Sequence, residues 1–205
     1  YDTGYGIADN VTGTRFYPGE STDNILRLFT SNTLSNPNSI YRCTVTEQNT
    51  VDATAPNGQY SRYTGIDTNS NNQVFYSYAA SFDYTGNTMT YSVYLKGSGT
   101  CHLTNYNDQT GYSTSSTITL TDKWTRYSYT SFVHANANNH WSGVRGIRND
   151  TDVYVAASQA ELKGHATPFT ATTRSSTASL IDLKETTDID VSNVSFDSTG
   201  QPTFD

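Results

Sequence analysis

Residues 88–95 read Thr-Met-Thr-Tyr-Ser-Val-Tyr-Leu, and the apolar character alternates without a break. Met89, Tyr91, Val93 and Leu95 fall on one side; Thr88, Thr90, Ser92 and Tyr94 fall on the other. A repeat of two is what a pleated strand with one buried face produces. No stretch longer than one turn carries a helical period. The same alternation recurs in weaker form over 41–47, 60–66, 73–82, 100–105, 117–120, 124–133, 141–148 and 152–162. In 73–82 it puts Val74, Tyr76, Tyr78, Ala80 and Phe82 on one face and Gln73, Phe75 and Ser77 on the other. Turn chemistry separates these runs: Ala55-Pro-Asn-Gly58, Asp83 to Asn87, Gly97-Ser-Gly99 and Thr121-Asp-Lys123. Proline fixes one φ angle, and Asn-Gly accepts positive φ. Short strands at ~8–12-residue spacing specify an all-β chain, an antiparallel β-sandwich or jelly roll.

Composition supports this reading and narrows the function. Only 34% of the 205 residues are hydrophobic, but Tyr (16) is abundant, and Thr and Tyr suit a half-buried pleat. Charged residues make up 15%, which is not the high-charge signature of disorder. The net charge is −7 and the twelve Lys and Arg are scattered, which argues against a nucleic-acid partner. No apolar run approaches the ~20 residues of a membrane span, and no signal peptide is visible. The chain opens at Tyr1 and closes in a strand-like run at Phe204 and Asp205, so a piece of a longer polypeptide is expected.

The pattern divides the chain into four parts. Residues 1–24, with Gly4, Gly6, Gly13, Pro18 and Gly19, read as an extended N-terminal arm whose Tyr5, Ile7, Phe16 and Tyr17 can dock on a neighbour, with a disordered lead-in as the alternative. Residues 25–165 form the jelly roll; its first run, Ile25 to Phe29, fits a strand or a single helical turn. Residues 166–179 are polar and unpatterned, a linker. Residues 180–205 carry Leu180, Ile181, Leu183, Ile189, Val191, Val194 and Phe196, the opening strands of a second β module.

Several constellations carry chemistry. Trp141 begins a strand beside the 134–140 loop, where an indole can stack on a sugar ring or serve as an ordinary rim residue. Tyr76, Tyr78, Tyr106 and Tyr112, with Tyr127 and Tyr129, supply amphipathic rings among Ser, Asn and Gly; core packing is the competing use. Asp67-Thr-Asn69-Ser-Asn71 begins like a calcium loop, but Asn72 stands where Gly is needed and Tyr78 where the bidentate Glu belongs. Asp150 and Asp152, on the Asn149-Asp-Thr-Asp152 turn, are a candidate Ca²⁺ pair, with plain turn chemistry as the alternative. No other cofactor is called for. His134 and His140 lack companions at zinc spacing. Cys43 and Cys101 both alternate with apolar residues and read as buried thiols, with a bridge as the alternative. No nucleophile elbow, phosphate loop or metalloprotease helix occurs. Asp152 and Glu161 are the clearest carboxylates within strands. A non-enzymatic protein is expected.

Five segments, in order, resemble a module of bacteriophage tail and virion structural proteins, related in pattern to carbohydrate-binding jelly rolls. They are Gly19-Glu-Ser-Thr-Asp-Asn-Ile-Leu26 (with Ser21 where Pro is usual), Asp52-Ala-Thr-Ala-Pro-Asn-Gly58, Thr90-Tyr-Ser-Val-Tyr-Leu-Lys96, Leu120-Thr-Asp-Lys-Trp-Thr-Arg-Tyr127 and Gln159-Ala-Glu-Leu-Lys-Gly-His-Ala-Thr-Pro-Phe169. Residues 180–205 look like the lead-in to a concanavalin-like lectin module. The resemblance implies a structural virion component, in a tail, fibre or surface decoration. Its partners would be other virion proteins and copies of itself in a homo-oligomer, with host-surface polysaccharide as a further target by analogy. It would be assembled in a bacterial host's cytoplasm and reside in the extracellular particle. It also implies that Trp124 packs into the sandwich. The alternative is a carbohydrate-binding module of a secreted or cell-surface bacterial protein.

Overall fold

The structure, a computed structural model, describes residues 14–16, 22–24, 26, 39–77, 85–137, 140–170, 173–174, 181–183, 194–196 and 202–204. Within these, every regular element is a strand: β1 (Thr14–Phe16), β2 (Thr22–Asp23), β3 (Ser39–Tyr41), β4 (Cys43–Val51), β5 (Gln59–Gly65), β6 (Gln73–Ser77), β7 (Thr88–Ser98), β8 (Thr100–Asn107) and β9 (Gly111–Thr114). The chain continues with β10 (Ile118–Thr119), β11 (Thr125–Phe132), β12 (His140–Arg145), β13 (Asp152–Glu161), β14 (Thr173–Arg174), β15 (Ile181–Leu183), β16 (Val194–Phe196) and β17 (Pro202–Phe204).

The chain divides into two units, residues 23–172 and residues 1–22 with 173–205. The larger unit is an antiparallel sandwich. One sheet has the order β11-β7-β13-β5-β4; the other has the order β10-β8-β12-β6-β3, with β9 also pairing β8. Gly97-Ser-Gly99 is the corner where the chain leaves the first sheet and enters the second. Gly97 has φ +142, and a Cβ there would lie 1.9 Å from the Asp152 carbonyl oxygen, so only glycine fits the crossing.

The alternation sets the core. Met89, Tyr91, Val93 and Leu95 are buried, and from the same sheet Tyr63, Val153 and Val155 join them. Val74, Tyr76, Cys101, Leu103, Ile118 and Val144 meet them from the facing sheet. Burying each large side chain contributes about 1.5–3 kcal/mol. Tyr127 and Tyr129 pack against this core from β11. Both cysteines are free thiols, and burial pushes each up to about 12.

Strand β13 carries a bulge between Ala156 and Gln159, with Ala157 at φ 50. The bulge shifts the phase, so Ala160 joins the core while Gln159 and Glu161 turn to the outer side. Both are nonetheless fully buried, because residues 162–170 fold over them. The Thr167 amide and hydroxyl donate to the Glu161 carboxylate, and the Thr170 amide donates to Gln159 Oε1 at 2.7 Å. Residues 166–170, expected to start a linker, are thus fixed on the sandwich. Side-chain-to-backbone bonds of this kind leave no periodic trace. Buried Asn24 completes the closure: its Nδ2 donates to Ser158 O and Thr170 O, and its Oδ1 accepts from Ala160 N.

In the smaller unit β1 pairs with β15, which sets Phe16 opposite Ile181, and β16 pairs with β17. Phe16, expected in a free docking arm, therefore sits in a two-stranded sheet with the C-terminal segment. Tyr5, Ile7 and Tyr17 lie outside the described residues, as do Ile25 and Arg27 to Phe29; Leu26 is buried in the core of the sandwich.

Candidate functional site

The two sheets show their outer faces to solvent, and the register decides what each face carries. On the six-stranded sheet, β12 sets Trp141 opposite Tyr106, Gly143 between Phe75 and Thr104, and Arg145 between Gln73 and His102. Strand β9 adds Tyr112 opposite Tyr106. Because the core-facing set (Val74, Tyr76, Leu103, Val144) alternates with this one, these residues all point away from the sandwich interior.

They form one aromatic cluster. Ring centroids are 4.9 Å apart for Tyr106 and Tyr112, and 5.7 Å for both Tyr106–Trp141 and Phe75–Trp141. Phe75 and Tyr112 stack at 6.1 Å with 19° between planes. Phe75 is the floor, only 1% exposed, while Tyr112 and Trp141 remain 45% and 36% exposed. Glycine at 143 makes room for that floor: a Cβ there would lie 2.0 Å from the Val74 carbonyl oxygen and 2.9 Å from Phe75 Cδ1. Polar groups ring the cluster. Gln73 Nε2 donates to the Tyr112 hydroxyl at 3.2 Å, and Arg145 lies 4.0 Å from the Tyr112 centroid while donating to the Asn71 side chain. Aromatic area with a few convergent polar groups is what a sugar-binding surface requires.

Of the tyrosines singled out in the sequence, Tyr106 and Tyr112 join Trp141 on this face. Tyr76 does not: it is 3% exposed in the core, 6.4 Å from Tyr91, and burial pushes its hydroxyl pKa up strongly. The alternation in 73–77 already placed it with Val74 rather than Phe75, and that pattern decides the matter. Tyr78 lies outside the described residues. Phe75, Gln73 and Arg145 are the members that sequence reasoning missed. The signal for them was their shared phase, opposite Val74, Tyr76 and Val144.

The outer face of the five-stranded sheet is built from similar residues with a different outcome. Trp124, expected inside the sandwich, lies here instead, half-buried beside Tyr60 at 6.2 Å. It precedes Thr125, which pairs with core-facing Leu95, so its phase is outward. Tyr154 stands 5.3 Å from Tyr60. Cations cover these rings: Lys96 Nζ sits 5.4 Å from Trp124 and 5.2 Å from Tyr154, and Arg62 sits 5.0 Å from Tyr154. Arg62 is itself gripped by Asp152 (2.8 and 2.6 Å) and by Glu47 (3.0 Å). The Tyr60 hydroxyl also donates to Glu47. The bonds from Tyr60 and Arg62 hold the Glu47 carboxyl below its ordinary range, and the bond to Glu47 pushes Tyr60 up to about 12.

This network takes up one member of the candidate calcium pair. Both Asp152 oxygens are committed to Arg62, and exposed Asp150 accepts from the Thr151 hydroxyl at 3.5 Å. Among the described residues no group of three or more His, Cys, Asp or Glu is placed to hold a metal ion. Asp67 binds Arg42 and Asn72. His140 is buried against Ala137 O at 3.3 Å, and burial lowers its pKa. The strand carboxylates are engaged too: Glu161 by Thr167, and Glu47 and Asp152 by the same guanidinium.

No family model and no curated protein sequence matches the chain. Solved structures do. The CBM22-1 xylan-binding domain from Paenibacillus barcinonensis is 16% identical with a TM-score of 0.50, covering 73% of this chain and 96% of that one. The CBM22-1–GH10 modules of a Clostridium thermocellum xylanase, complexed with xylohexaose, are 15% identical with a TM-score of 0.48 over 73% of this chain, which spans 30% of that chain's length. A mutant of the CBM29-2 carbohydrate-binding module is 13% identical with a TM-score of 0.48, covering 74% and 99%. The fold is an all-β, two-sheet antiparallel sandwich similar to that of the Paenibacillus domain.

Proposed function

We propose that the chain is a non-catalytic glycan-binding module that holds a polysaccharide against the outer face of the six-stranded sheet, across Trp141, Tyr106 and Tyr112. The observation that carries this reading is the aromatic cluster itself: an exposed indole and phenol ring on a buried Phe75 floor, with side-chain amides and a guanidinium beside them. Rings fixed by their neighbours lose little entropy on binding, and a flat sugar face covers them well. The fold likeness supports the same reading. It favours a carbohydrate-binding module of a bacterial secreted or surface protein over a structural virion role, which draws on the motif order alone.

The test is binding of the full chain to a glycan array and to soluble polysaccharides in affinity gels. Retardation by at least one polysaccharide, lost in Trp141→Ala, is the expected result. A chain that no sugar retards, or a Trp141→Ala protein that binds unchanged, overturns the proposal.

A further inference from the structure

Arg145 differs from Arg42 and Arg62 in its partners. The ion pairs among the described residues join Arg42 to Asp67, and Arg62 to Glu47 and Asp152; none includes Arg145. Its polar contact is with the neutral side chain of Asn71, and its guanidinium lies 4.0 Å from the Tyr112 centroid. Among the described strand residues that face outward on this sheet, it carries the one full charge (Tyr41, Gln73, Phe75, His102, Thr104, Tyr106, Tyr112, Thr114 and Trp141 are its companions). A chain of net charge −7 thus places on its aromatic face a cation with no ion pair among the described residues.

Two orphaned polar atoms stand beside it. Arg145 Nε and Gln73 Oε1 are buried without a hydrogen-bond partner, and Gln73 as a whole is 7% exposed. They are two of ten such atoms among the described residues, and these two adjoin the aromatic cluster. The guanidinium is planar and matches a carboxylate in two parallel bonds, and contact with the Tyr112 ring holds its plane. Trp141 and Arg145 lie four residues apart on one strand, ~13 Å at ~3.3 Å per residue. One extended saccharide can therefore stack on Trp141 and present a charged neighbour to Arg145.

Resting on the glycan-binding reading, we infer that this face selects acidic polysaccharides, with Arg145 receiving the carboxylate of a uronic-acid residue. Neutral chains of the same shape keep the aromatic contacts and lose the charged one.

The experiment uses the full chain with polygalacturonate, alginate and hyaluronan, each against its methyl-esterified or carboxyl-reduced counterpart, by affinity electrophoresis and calorimetry. At low salt the acidic form of at least one polymer binds 10-fold or more tighter than its neutral counterpart, and the preference shrinks as salt rises. Arg145→Gln erases the preference, so that the acidic form binds no tighter than its neutral counterpart; Trp141→Ala weakens both. Equal binding of acidic and neutral forms, binding of neutral glycans alone, or an unchanged preference in Arg145→Gln overturns the inference and leaves the glycan-binding reading intact. Failure to bind any glycan, acidic or neutral, overturns that reading and the inference with it.

Discussion

The two outer faces of the sandwich draw on the same kinds of residue. Each has a tryptophan, three tyrosines (Tyr60, Tyr94 and Tyr154 on one, Tyr41, Tyr106 and Tyr112 on the other) and at least one arginine in outward phase. On the five-stranded face the cations cover the rings and carboxylates neutralise Arg62, so Trp124, Tyr60 and Tyr154 are all half-buried. Residues 162–170 seal the far end of that face over Gln159 and Glu161. On the six-stranded face Phe75 supports the rings from below, and Tyr112 and Trp141 stay open to solvent. Aromatic content alone therefore does not make a binding surface. What distinguishes the two is that carboxylates hold Arg62 on one face, while on the other Arg145 has no ion pair among the described residues and Tyr112 and Trp141 keep much of their ring area exposed.

The sharpest way to break this comparison is to remove the tryptophan from each face in turn. Trp141→Ala is expected to weaken polysaccharide binding about 30-fold or more, the ~2 kcal/mol of a central aromatic contact. Trp124→Ala is expected to leave affinity within about twofold. Calorimetry on both variants checks this, and equal losses would erase the distinction. Gly143→Ala comes next. Its methyl would collide with the Val74 carbonyl and with Phe75, so overpacking should cost about 1–3 kcal/mol of stability in denaturant melts and tilt the platform.

Smaller effects lie on the sealed face. Asp152→Asn removes a two-bond grip on Arg62 from a partly exposed pair, an expected loss of about 0.2–1 kcal/mol with no change in glycan affinity. The smallest effect is alkaline. Tyr60 is held up to about 12 by Glu47, above the ~10 of an unfolded tyrosine. Its contribution is complete below pH ~10 and is lost as pH rises from there through about 12. The buried Cys101 thiol, raised from 9.0 to about 12, adds a decline that begins nearer pH 9. Denaturation midpoints measured across this range should fall, and Glu47→Gln should flatten the portion due to Tyr60.

Much of the sandwich was legible because one period governs it. Residues 88–95 show the alternation and its outcome together: all four apolar members are buried. Even there, Thr90 and Ser92 on the outer side are buried, by Lys163 O and Arg126 respectively, through contacts distant in sequence. Strand β9 shows no alternation because Gly111 to Thr114 is polar but for Tyr112; the hairpin is set by Asn107, whose Oδ1 accepts from the amides of Gln109 and Thr110. The site was half legible. Tyr106, Tyr112 and Trp141 could be named by type, but choosing Tyr76 over Phe75 ignored the face on which each lies. The covering of Trp124 by Lys96 could not be read, since it depends on which strands are neighbours rather than on any local pattern.

The bonds from Asn24 have a consequence for how such a sandwich travels between proteins. Asn24 and Thr170 flank nearly the whole sandwich in sequence, yet a single side-chain bond of 3.2 Å ties them. A polypeptide thus arrives and departs at one spot, and the aromatic platform is carried by strands between those points. Such a cassette can be spliced into a surface loop of an unrelated host without stretching it, and joining its two ends by a short bridge should yield a circular permutant that still folds.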